Sequence, residues 1–259
     1  MSAMPAVVAI NTFREAVRDR VLYNLIFFAF LMMGGAILVG QISIGIERLV
    51  IINLGLSAIS AFGLVMAIFI GVGLVSKEIE KRTLYSLLAK PIRRWEFIAG
   101  KFGGLLLTLV VNTAVMTLGV LLALVYVGPP YSPYAKEVVI AVYFILLSLA
   151  LVTALALFFS CFSSPMLSTL FTLGIYITGI FSEDIRGFGE VTNNKALVAI
   201  TRVIYYMIPN FHNFNAIAIA SHGQAIPFRT VWQNSLYALL YVALILFAAS
   251  AVFSRRNLK

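Results

Sequence analysis

The sequence predicts an all-α polytopic membrane protein, and three observations carry that prediction. The chain of 259 residues is 61% hydrophobic and only 11% charged, whereas an average soluble domain carries about 25% charged residues. Its mean hydropathy is +1.00. Its apolar residues gather into six long runs, and its basic residues crowd at one side of them. The whole chain, 1–259, reads as one membrane domain.

A helix that crosses the hydrocarbon core needs about 17–25 apolar residues. The runs 22–40, 49–75, 102–127, 138–162, 166–181 and 232–253 come close to or exceed that length. Six spans put both termini on one side. Arg14, Arg18 and Arg20, the segment 77–101 and the tail with Arg255, Arg256 and Lys259 together hold 13 of the 19 Lys and Arg residues. Basic excess marks cytoplasmic segments, so both termini and 77–101 are expected inside the cell. The net charge of +9 is therefore a topology signal, and no nucleic-acid partner is expected.

Ahead of the first span, Ile10, Phe13, Val17 and Val21 recur at helical spacing opposite Asn11, Arg14, Glu15, Arg18 and Asp19. Segment 6–21 is expected as an amphipathic helix in the inner interface, with Phe13 and Val17 on the lipid face and Arg14 and Arg18 on the wet one. It carries too many charges for a signal-peptide n-region.

On the outer side, 127–137 is a proline-rich turn and 41–48 a short one. Segment 182–231 is long for a connection, which signals local structure or function. Within it the apolar stretch 197–208 carries Arg202 and is followed by Pro209. A dozen residues are too few to span, so half-helices are expected, re-entrant or surface-lying, with Tyr205, Tyr206, Phe211 and Phe214 at headgroup level. A seventh span here would move Arg255, Arg256 and Lys259 outside, against the charge rule.

None of the six runs contains Asp, Glu, Lys, Arg or His. Proton-coupled carriers need intramembrane ionisable groups, and general acid–base enzymes need carboxylates or histidines. Both classes are disfavoured. His212 and His222 stand ten residues apart in the outer segment without nearby cysteines, and read as surface histidines; no metal site is expected. Cys161 is the single cysteine, expected as a buried inert thiol. Ser57, Ser60, Ser148 and Ser168 read as helix-packing residues. Gly100-Lys101 resembles the end of a phosphate loop, yet Trp95 and Phe102 occupy the positions that would need Gly and Ser or Thr. No catalytic residue and no bound cofactor is expected in this chain.

The segment 77–101 holds ten ionisable residues. Each would cost about 2.5–3.5 kcal/mol at a bilayer centre, so the segment stays in water. Glu78 and Arg82 stand four apart, which supports an exposed helix, and Leu84, Leu87 and Leu88 supply an apolar stripe beside them. Pro91 ends that helix, and 93–101 runs into the third span. The result is a stiff cytoplasmic elbow with a surface to offer a partner.

These residues also carry a family resemblance. Glu78-x-Glu80-x-Arg82-Thr83-Leu84, then Leu87-Leu88-x-x-Pro91-x-x-Arg94, then Gly100-Lys101 resembles the signature of ABC-2-type permeases, the membrane subunits of a class of ATP-binding-cassette exporters. Many members have Gly where Arg82 stands. Pro209-Asn210-Phe211-x-x-Phe214-Asn215 is similar to a motif of the subgroup that includes the nitrous-oxide-reductase maturation permease. The resemblance implies a multi-pass protein of a bacterial or archaeal plasma membrane. It implies a coupling helix within 77–101 docked on a separate ATPase subunit, two copies of which bind ATP and Mg. It also implies a second permease, as homodimer or heterodimer, and a connecting role for Phe13, Arg14, Val17 and Arg18. An accessory scaffold in the maturation of an extracytoplasmic metalloenzyme is the alternative function; a lipid-directed enzyme is a weaker one.

Overall fold

The computed structural model describes residues 4–18, 20–43, 45–80, 94–128, 134–191 and 195–255. Among them every regular element is helical: α1 Met4–Val17, α2 Arg20–Ile42, α3 Glu47–Glu80, α4 Arg94–Val127, α5 Tyr134–Ser160, α6 Pro165–Ile180, α7 Ser182–Val191, α8 Lys195–Met207, a 3-10 turn His212–Phe214, α9 Ile217–Ser221 and α10 Phe228–Arg255.

Four helices have the length and composition to cross a membrane, over Glu47–Gly73, Trp95–Val127, Tyr134–Ser160 and Phe228–Ser254. A fifth crossing is available from a bent pair, Pro165–Ile180 with Ser182–Phe188, whose axes differ by 59°. The span expected over 166–181 thus coincides with the first, longer arm of this pair. The 16 residues of α6 give about 24 Å of helix, short of the ~30 Å hydrocarbon core, and the chain turns at Phe181 into polar α7. In α2, a helix of 23 residues, the uninterrupted apolar stretch with described side chains is Phe30–Ile42.

Both α3 and α4 contain 34 residues, about 51 Å each. Each is therefore long enough to cross the core and project well beyond it. The last turn of α3 carries Lys77, Glu78 and Glu80 of the charged segment, and α4 begins at Arg94. Arg82, Thr83, Leu84, Leu87, Leu88 and Pro91, with the rest of 81–93, lie outside the described residues.

The centre of the bundle is α5, which packs against α3, α4, α6, α9 and α10. Its sequence is apolar all round, and such a helix belongs inside. By contrast α10 has only 22% of its most apolar window buried. It exposes Trp232, Leu236, Leu239, Leu240, Leu244 and Phe247, a face that needs lipid or another helix against it.

Several polar side chains of α4 within the core are satisfied locally. Thr108, Thr113 and Thr117 each donate to a carbonyl four residues back, at 2.9, 2.8 and 2.6 Å, and Asn112 Nδ2 donates to the Thr108 carbonyl at 2.8 Å. Such back-bonding removes the cost of burying a hydroxyl without requiring a partner helix. Cys161 is a buried free thiol whose Sγ lies 3.2 Å from the Leu157 carbonyl.

Candidate functional site

The N-terminal helix α1 is seated on the first turns of α4, and small residues make the contact. Val8, Thr12 and Ala16, spaced by four, are buried along one line of α1. Facing them stand Gly100 and Gly104. A Cβ on Gly100 would lie 2.6 Å from the Val8 Cβ and 2.9 Å from the Pro5 carbonyl oxygen. On Gly104 it would strike the Ala9 carbonyl oxygen and come within 2.6 Å of the Thr12 Cβ. Only hydrogen at both positions lets the two backbones come this close.

Between the glycines, Lys101 is buried, 3% exposed. Its Nζ lies 3.8 Å from Glu15 Oε2 and 5.9 Å from the centre of the Phe97 ring. This differs from the expectation for the charged segment. Gly100 and Lys101 are not on its surface; they are the inner seat of α1. The physical reason is that a four-carbon stem can be covered by packing while its ammonium finds a carboxylate.

The α1 helix itself departs from the simple amphipathic reading. Phe13 and Val17 are half-buried and Arg14 and Arg18 are exposed, while Ile10 is exposed. Two faces are in use: the line Val8, Thr12 and Ala16 against α4, and the Ile10, Phe13 and Val17 side turned away from it. Small residues such as Thr12 and Ala16 carry little weight on an apolar scale, so the packed face was invisible to periodicity.

A second organised region lies where 209–217 enters the bundle. Phe211 and Phe214 were expected at headgroup level, yet each is 3% exposed and belongs to the main apolar core. Phe211 packs edge-on to Tyr176 of α6, and Phe214 packs beside Tyr237 of α10. Gly179 permits this, since a Cβ there would strike the Pro209 carbonyl oxygen and the Phe211 ring. Tyr237 stands nine residues into α10, so the segment reaches about 14 Å along that helix.

Irregular backbone at such depth survives only when protein groups satisfy it, and the asparagines do so. The Asn210 N–H donates to the Tyr237 hydroxyl at 2.8 Å, and the His212 N–H to Asn210 Oδ1 at 3.0 Å. The Phe211 N–H donates to the Gly179 carbonyl at 3.1 Å. Asn234 Nδ2 donates to the Asn213 carbonyl at 2.7 Å. Tyr205 and Tyr206 remain on α8, Tyr206 exposed, with the Tyr206 carbonyl accepting from the Tyr241 hydroxyl at 3.3 Å.

Beside this plug is a cavity of about 110 Å³ lined by Ser60, Ser148, Tyr176, His212 and Asn215 among others. At about 30 Å³ per water, it has room for a few small polar molecules. Ser60 and Ser148, read as packing residues, line it. His212 Nε2 is 3.8 Å from Glu183 Oε2, both groups about half exposed, and His222 Nδ1 caps α9 at the Ala218 carbonyl, 2.8 Å away. Among the described residues no cluster of three metal-ligating side chains occurs.

Glu137 is a residue that the sequence reading left in a turn. It sits in the first turn of α5, 2% exposed, and its Oε2 accepts the Ile226 N–H at 3.1 Å. The carboxylate thus pins the loop before α10 to the start of α5, where a negative charge also suits the helix dipole. Glu137→Ala is expected to lower stability by about 1–3 kcal/mol by leaving a buried N–H unpaired, and Glu137→Gln, which keeps an acceptor oxygen, by clearly less. Thermal unfolding of the two variants measures this; equal losses would show that the hydrogen bond is not what Glu137 contributes.

An all-helical bundle with four helices long and apolar enough to cross a membrane defines a multi-pass membrane protein. Residues 6–258 match the family model described as ABC-2 family transporter protein. The chain belongs to that family, whose members are membrane components of ABC transporters and work with an ABC ATPase subunit. No curated protein sequence matches the chain.

Proposed function

We propose that this chain is one of two permease copies in an ABC exporter of a bacterial or archaeal inner membrane, driven by two separate ATPase subunits. In this reading α2 and the bent α6–α7 pair cross the bilayer with the four long helices, making six spans with both termini cytoplasmic. The ATPase docks on the segment 77–94. Glu78, Glu80, Arg82 and Arg94 make its polar contacts, Leu84, Leu87 and Leu88 its apolar key, and Pro91 the bend between them.

The observation that supports this most is the seat of α1 on α4. The charged segment feeds directly into α4, whose first turns grip α1 through Gly100, Lys101 and Gly104. A push on the segment would therefore move α1 and α4 together, along a helix that continues through the bundle. Phe13, Arg14, Val17 and Arg18 ride on this unit as its interfacial face. Coupling further requires that the segment make different contacts in the two nucleotide states of the ATPase. Residues 209–215 carry the likeness to the nitrous-oxide-reductase maturation subgroup, and their packing roles in the plug account for the motif without assigning a cargo.

The test is the double charge reversal Glu80→Lys with Arg82→Glu. Expected is loss of ATPase co-purification, or of ATP hydrolysis coupled to flux in vesicles, with thermal stability unchanged. Unaltered co-purification and unaltered flux would remove 77–94 as the docking element. ATPase binding without any flux by the wild-type pair would favour the scaffold role instead.

A further inference from the structure

The serine and threonine side chains of α5 are bonded unequally. Thr153 donates to the Leu149 carbonyl at 2.7 Å and Ser160 to the Leu157 carbonyl at 2.8 Å. Ser148 makes no such bond, and its hydroxyl has no partner among the described residues. It lines the cavity of about 110 Å³ beside 209–215. Ser60 of α3 and Tyr176 of α6 line it too, within hydrogen-bonding reach of each other. Asn215 adds an amide to the lining. Its Oδ1 accepts the Ile217 N–H at 3.4 Å, and its NH2 group has no partner among the described residues. Three helices and one irregular segment thus bring hydrogen-bonding groups to a single space.

We infer that this cavity is a binding site for a small neutral polyol. Size is the first reason. A cavity of about 150 Å³ holds benzene, with its six carbons, so about 110 Å³ encloses about four or five non-hydrogen atoms. A sixth can project at the mouth, where His212 and Asn215 are exposed.

Charge is the second. No carboxylate, lysine or arginine lines the cavity. His212 alone can become charged there, and Glu183 Oε2 stands 3.8 Å from its Nε2 to offset that charge. An ion entering would lose water without gaining a counter-charge, which is far costlier than desolvating a neutral group. The mixed lining is the third. Beside the hydroxyls and the amide stand Ile145, Ile180, Ile217, Phe211 and Phe214. Water alone would satisfy the polar groups yet lie against five apolar side chains. A polyol presents O–H groups that both donate and accept, and C–H groups that pack against isoleucine and phenylalanine. The site lies within one chain and needs neither a second permease nor the ATPase.

The three isoleucines of the lining supply the experiment. Full-length protein in lipid nanodiscs, isotopically labelled at the isoleucine δ1 methyls, is titrated with glycerol and read by methyl NMR. The Ile145, Ile180 and Ile217 methyls should shift together and saturate, with a midpoint of about 1–10 mM, an affinity open to a ligand of six non-hydrogen atoms. Ile98, buried in a separate cluster with Phe97 and Phe253, should not move. Glycolate and ethanolamine, comparably small but charged, should leave all four methyls in place at the same concentrations. Ser148→Ala should raise the glycerol midpoint about fivefold, the loss of one hydrogen bond, while an unshifted Ile98 signal reports that the fold is kept. Shifts that rise without saturating, or no shifts, would overturn the site and leave water as the occupant. An equal response to either charged compound would overturn its neutrality, and an unchanged midpoint in Ser148→Ala would overturn the role of that hydroxyl. The assay contains no ATPase, so its failure leaves the charge-reversal test of the permease reading standing.

Discussion

Gly104→Ala is expected to unseat α1 from α4, and Gly104→Leu to do so completely. The added Cβ meets the Ala9 carbonyl oxygen and lies 2.6 Å from the Thr12 Cβ. The first of these is backbone, which cannot swing aside as a side chain would. Overpacking of this kind costs about 1–3 kcal/mol, more than the ~1 kcal/mol that replacing glycine inside a helix returns. Separation of α1 is therefore the cheaper outcome. A free helix of 14 residues is marginal in water, so amide hydrogen exchange over residues 5–16 should accelerate sharply. Gly103 is the control: a Cβ there meets only the Ala9 Cβ, at 3.7 Å, and Gly103→Ala should leave the exchange unchanged. If coupling passes through the seat, ATP hydrolysis in the Gly104 variants loses its dependence on the permease while the ATPase still binds. Unaltered exchange in Gly104→Leu would show that α1 is not held this way.

Phe211→Ala is expected to be the most damaging single truncation in the end of the bundle that holds 209–217. The ring is 3% exposed, packs on Tyr176 and fills the space that Gly179 leaves open. Truncating a buried phenylalanine costs about 3–5 kcal/mol, and here the neighbouring cavity of about 110 Å³ would merge with the new void. Loosening 209–215 also exposes the backbone groups that Tyr237 and Asn234 now satisfy. Thermal unfolding should show the loss, and hydrogen exchange at 209–217 should show where it falls. Phe211→Leu, which refills most of the volume, should recover more than half. A Phe211→Ala variant as stable as the parent would return Phe211 to headgroup level, where the sequence reading put it.

The two cases also show what was legible in the chain. Long apolar runs identified the helices α3, α4, α5 and α10, because the signal for a span is a sum over some twenty residues and tolerates local error. The run 166–181 located a helix, Pro165–Ile180, but its uniform apolar composition gave no sign of the 59° bend that follows it. Lys101 was read with its charged neighbours in sequence; its burial depends on Glu15, which approaches from another helix. Phe211 and Phe214 looked interfacial because aromatics beside asparagines usually are. Those asparagines turn out to satisfy the backbone of a segment inserted between α6 and α10.

By itself, the sequence determined the solvent of this protein. Transfer of each side chain into lipid is close to a single-residue property, so composition and the length of the apolar runs were enough to mark the helices that can cross a membrane. Only the tertiary structure decided which face of α1 is buried, that Lys101 and Glu137 lie inside, and that 209–217 packs into the bundle between α6 and α10. Each of these depends on contacts between distant residues, such as Glu137 with Ile226, 89 positions away. No periodicity within one segment contains that information.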